Sequence, residues 1–221
     1  MNLEGRIKEQ FPALVVTLLS VLIGLCFGDL VGIARARMTL WPLDVGTLRT
    51  WGQIFSMAGC CVSVWVVFSH MAISRLRLPM FADCLVVFLT PLMILFANSL
   101  VGQKEIWPWF YFASAYLAVA LVSWQWQIRI AMADSELSSF ARLLRPLGPL
   151  SVIYFGIPFY AAVGWADSHG FVSPLMETAI AFGGGPAPLL TSWIFILEWR
   201  AAVAQAEASE FQAGAAVATG R

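Results

Sequence analysis

Three polar side chains fall inside long apolar runs: Asp29, Asn98 and Glu177. A carboxylate or carboxamide is costly in hydrocarbon, so the chemistry open to it there is narrow: hold a cation, carry a proton, or neutralise a nearby base. Asp29 and Asn98 each lie about 27 Å along their runs, counted from Phe11 and Met80 at 1.5 Å per helical residue. Glu177 enters its run from the same side. Asp29, Asn98 and Glu177 therefore form a candidate polar path at one end of a helical bundle. Arg35 and Arg37 lie about two helical turns beyond Asp29, and pairing with one of them is the plainer role for that acid.

A second polar pair is expected at the opposite end. His70 closes one apolar run and Asp83 opens the next, so a short antiparallel connection brings them within reach of a hydrogen bond. Adjacent Cys84 points about 100° away from Asp83 on a helix, which rules out a cysteine–histidine–aspartate triad. Cys26, Cys60, Cys61 and Cys84 all sit in apolar sequence with no C-x-x-C spacing, and they read as small hydrophobes. No zinc-ligand set, nucleotide-binding loop or nucleophile–base motif occurs. Neither an enzyme nor a cofactor is expected.

Two features bear on packing. Gly24, Gly28 and Gly32 recur on one helical face and admit the close approach of another backbone, from a neighbouring span or from a second copy of the chain. Ser56, Cys60 and Ser63 form a comparable stripe that could face them. Gly183, Gly184, Gly185 and Pro186 break the last apolar run, because proline removes a backbone donor and glycine weakens the helix ahead of it. Such a break is either a kink or a discontinuous helix of the kind that lines transporter sites.

The elements that must position these residues follow from composition. Of 221 residues, 60% are hydrophobic and 12% charged, against roughly 45–50% and 25% in a soluble domain. The 13 basic and 13 acidic side chains cancel, with no basic stripe, so a nucleic-acid partner is excluded. The expected fold is all-α: a polytopic helical membrane protein of about six transmembrane helices, forming one bundle with no soluble domain. The spans are 11–33, 51–73, 80–101, 106–127, 147–165 and 173–199, each near the roughly 20 apolar residues a crossing needs. The first is too long for a signal peptide and reads as a retained helix. An amphipathic cytoplasmic helix is expected over 128–145.

Most Lys and Arg residues fall on one side if the N-terminus is cytoplasmic: Arg6, Lys8, Arg75, Arg77, Arg129, Arg142, Arg145, Arg200 and Arg221. Arg35, Arg37, Arg49 and Lys104 fall outside, the first three as exceptions in one loop. Both termini are expected in the cytoplasm of a bacterial inner membrane. The expected partners are the lipid bilayer and either further copies of this chain or other membrane subunits. Two functions fit: a small channel or transporter with its polar path near Asp29, or a non-catalytic accessory subunit of a larger membrane complex.

Overall fold

Long apolar runs leave the backbone no polar partner but itself wherever water is scarce, and the helix satisfies every interior N–H and C=O locally. A computed structural model of the chain describes residues 3–37, 44–73, 81–133 and 148–218, and among them there is no strand. The helices are α1 (Leu3–Arg37), α2 (Val45–Ile73), α3 (Phe81–Ser99), α4 (Trp107–Ala133), α5 (Gly148–Ser168), α6 (Pro174–Gly183) and α7 (Pro186–Ala218). Each expected span coincides with a helix, and the last one is split between α6 and α7. Among the described residues, three runs are long and apolar enough to cross a membrane: Ala13–Ala36, Val45–His70 and Pro174–Glu198. Val87–Ser99 and Trp107–Ser123 are shorter apolar stretches. Most of the amphipathic helix expected over 128–145 lies outside the described residues; α4 itself continues to Ala133.

Helix α2 is the hub, packing against α1, α3, α6 and α7. On α1 the inward face is Val15, Leu19, Ile23, Cys26 and Leu30, at intervals of three or four residues, and all five are buried. Leu14, Val21, Leu25 and Val31 point outward from the same helix. The second unit is the α4–α5 pair, which meets the rest of the bundle through α3 and α7 and does not pack directly on α2. Proline interrupts the backbone ladder inside α3 at Pro91 and inside α5 at Pro158. At these places side chains cross between helices: the Cys26 thiol donates to Pro91 O at 3.4 Å, and the Ser114 hydroxyl donates to Ile157 O at 2.8 Å.

Candidate functional site

The polar end of the bundle is built from the start of α2. Asp44 caps that helix: its Oδ1 accepts from the Thr47 N–H at 2.6 Å, and its carbonyl accepts from Leu48 N–H at 3.0 Å. The same Thr47 N–H holds the exposed Asp44 carboxyl below the usual carboxylate range. With α2 starting at Val45, Arg49, Gln53 and Ser56 fall on one face, spaced by four and then three residues.

Each of the three reaches across to another element. Arg49 Nη1 donates to Glu177 Oε2 at 2.6 Å, an ion pair that is largely buried. Its Nη2 donates to the carbonyls of Gln103 at 3.3 Å and Lys104 at 3.1 Å. Gln53 Oε1 accepts from Gly102 N–H at 3.0 Å. Gly102 has φ 74°, a left-handed conformation that glycine adopts without steric cost, so the turn after α3 can offer its N–H to Gln53 and its next two carbonyls to Arg49.

Glu177 is presented by α6. Ser173 caps that helix by accepting from Met176 N–H at 3.3 Å, and Pro174 takes a first-turn position where a missing N–H costs nothing. Asp167, at the end of α5, completes the group. Burial, followed by neighbouring Glu177, pushes its carboxyl up to about 6, and the Arg49 charge acts in the opposite direction. The α2 guanidinium thus pairs with one carboxylate from α6, with the Asp167 carboxyl of α5 near enough to feel its charge.

Below this cluster α2 and the α6–α7 junction pack closely. Ser56 Oγ donates to Ala181 O. A Cβ on Gly59 would lie 2.6 Å from Gly185 O, and one on Gly184 would lie 2.5 Å from Ser56 Oγ. Beyond the junction, in the gap between α2 and the α4–α5 pair, lies a cavity of about 830 Å³. Its walls include Ile94, Phe112, Tyr116, Phe159 and Phe195, with hydroxyls such as Ser56, Thr90 and Ser192 and the broken backbone at Gly183 and Gly184; among the described residues no charged one lines it.

The structure divides the expected path of Asp29, Asn98 and Glu177. Asp29 is exposed on the outer face of α1 and does not line the cavity. Asn98 is fully buried, and its Nδ2 donates to Cys26 O at 3.2 Å, tying α3 to α1. Glu177 belongs to the Arg49–Asp167 cluster instead. Gly24, Gly28 and Gly32 also depart from the intramolecular packing expected of them. All three are exposed, and a Cβ on any of them would meet nothing within 4 Å among the described residues. Of the stripe expected to face α1, Ser56 meets α6 at Ala181, and Cys60 and Ser63 line the cavity. Gly183, Gly184, Gly185 and Pro186 do form the break, with α6 ending at Gly183 and α7 starting at Pro186. His70 stands in the last turn of α2 and Asp83 in the first turn of α3, but the Asp83 side chain lies outside the described residues.

Arg49, Gln53 and Asp167 were not among the expected site residues. Arg49 counts as a loop charge if α2 starts at Trp51, and Asp167 falls just past an apolar run. The Asp44–Thr47 capping pair is the signal that extends α2 back to Val45 and turns Arg49 and Gln53 into a helix face. Comparison with protein-family models, characterised proteins and solved structures finds no match to this chain.

Proposed function

We propose that the chain is a multi-pass integral membrane protein that carries an uncharged, largely apolar molecule in the cavity between α2 and the α4–α5 pair. The carrying observation is the lining of that cavity: aromatic and aliphatic walls with interspersed hydroxyls and, among the described residues, no charge. Its volume of about 830 Å³ lies within the roughly 300–1,000 Å³ of small-molecule sites. An ion entering it would give up its hydration for hydroxyls and backbone groups with no described counter-charge, so a hydrophobic cargo fits better than the ion or proton path expected at Asp29. The discontinuous helix beside the cavity supports a transporter over a static pore, because carriers commonly place such breaks at their substrate sites. The location we assign is a bacterial inner membrane with both termini in the cytoplasm, on the distribution of Lys and Arg.

The test is native mass spectrometry of protein extracted in mild detergent. A stoichiometric apolar adduct is expected on the wild type and lost from Ala113→Phe and Ser192→Phe, whose new rings occupy the cavity. Equal adducts on wild type and both variants would overturn the assignment.

A second reading, an accessory subunit, is favoured by one observation. The outer face of α1 presents Gly24, Gly28, Gly32 and Asp29, with no described residue packed on the glycines. A face of that kind suits a partner helix. Co-purification of a stoichiometric second membrane protein that is lost on Gly28→Leu would support it.

A further inference from the structure

We infer that the cargo bears an uncharged oxygen that accepts a hydrogen bond, a carbonyl or hydroxyl on an apolar frame, and that the Ser63 hydroxyl is its donor. This rests on the cavity being the cargo site, as proposed above, and adds a polar anchor to it.

Ser56, Cys60, Ser63 and Val67 all line the cavity. Their spacing of four, three and four residues makes one face of α2 this wall, so Ser63 stands on the cavity side of its helix. It is 8% exposed, and its Oγ is buried with no hydrogen-bond partner among the described residues. Other helical hydroxyls of this chain donate to the carbonyl four residues back: Thr17 to Ala13 at 2.8 Å, Thr50 to Gly46 at 3.0 Å and Thr191 to Ala187 at 2.8 Å. The same bond from Ser63 to Gly59 is not made.

Ser63 is distinct from the other polar groups in the same condition. Arg49 Nε, Gln53 Nε2, Ser69 Oγ and Asn98 Oδ1 are also buried without a partner, but none of these residues lines the cavity. Of the hydroxyls that do line it, Ser56 is committed to Ala181 O and Thr191 to Ala187 O, and Thr90 is not free.

A buried donor without an acceptor destabilises the folded chain, and a ligand oxygen that accepts from it removes that penalty. An analogue lacking the oxygen leaves the donor unpaired and is selected against. The walls keep the matching ligand uncharged, because a carboxylate or an ammonium would lose its hydration with no described counter-charge to replace it.

Cyclododecanone and cyclododecane share one apolar frame and differ by the oxygen. Their binding to the protein in nanodiscs, corrected for partition into lipid, tests the inference. The ketone should bind the wild type about two- to tenfold tighter than the alkane, the range of one neutral hydrogen bond. Ser63→Ala should erase that preference by weakening the ketone alone, and Ser63→Thr should keep it. The infrared carbonyl stretch of the bound ketone should lie at lower frequency in the wild type than in Ser63→Ala, a signature that a merely structural serine would not move. Without ligand, Ser63→Ala should melt at the wild-type temperature or above it, since the lost hydroxyl had no partner. Equal binding of ketone and alkane by the wild type would overturn the inference and leave the cavity assignment standing. So would a preference and a carbonyl frequency that survive Ser63→Ala, or a preference lost in Ser192→Ala instead. Binding of both probes undiminished by Ala113→Phe would overturn the cavity assignment, and the inference with it.

Discussion

Gly52, Ser56 and Gly59 on α2 and Gly24, Gly28 and Gly32 on α1 are both rows of small residues at helical spacing, yet one row is buried and the other is open. The α2 row lies against the α6–α7 junction, where the break frees backbone carbonyls that need donors and closer neighbours. Ser56 supplies the donor, to Ala181 O. Gly52 and Gly59 supply the room, since a Cβ at either would come within 3.0 Å of Phe182 N or 2.6 Å of Gly185 O. The α1 row meets no such need among the described residues. Small-residue spacing marks where a backbone can approach; an unsatisfied partner decides whether one does.

Gly59→Leu carries the largest expected effect on that comparison. Its added side chain would collide with backbone at Gly185 rather than with a side chain that could turn aside. Overpacking a tight contact costs roughly 1–3 kcal/mol and more where the neighbour is rigid. We expect loss of folded monomer, read as the monodisperse fraction in size-exclusion chromatography. A normal yield would show that the α2 seam can spread and that the contrast with α1 is one of degree.

Arg49→Met ranks next. It removes the guanidinium from Glu177 and from the Gln103 and Lys104 carbonyls while keeping an apolar stem of similar length. The expected destabilisation falls between the roughly 0–1 kcal/mol of an exposed pair and the roughly 3–5 kcal/mol of breaking a buried one. Because Arg49 lowers the Asp167 value, the Asp167 carboxyl midpoint, read by infrared titration, should also rise in this variant. A thermal midpoint and a titration both equal to wild type would remove Arg49 from the cluster.

The contrast also explains how far the sequence could be read. Apolar runs located every helix, and the glycine–proline run at 183–186 located the break, since both depend on local composition. The positions of Asn98 near the end of α3 and of Glu177 near the start of α6 were legible for the same reason. Pairing was not. Asp29, Asn98 and Glu177 were grouped by depth alone, but depth does not say which way a helix is turned: α1 points Cys26 inward and Asp29 outward, three residues apart. A rotation of that size is set by packing against α2 and α3, which no single run encodes.

Gly28→Leu is the smallest expected effect, and it isolates the open row. Its Cβ would meet nothing within 4 Å among the described residues, and leucine favours a helix over glycine by somewhat less than about 1 kcal/mol. The monomer should therefore keep its yield, with a thermal midpoint unchanged or slightly raised. Any loss must come from outside the chain. If a second copy seats its own α1 on Gly24, Gly28 and Gly32, the leucine holds the two backbones apart, and the mass in mild detergent falls from dimer to monomer while each monomer stays folded. If the row faces lipid, mass and midpoint both stay at wild-type values, and Asp29 is left at the rim where water can solvate it. A folding defect in the monomer would contradict both and return the row to an intramolecular seam, erasing the difference between α1 and α2.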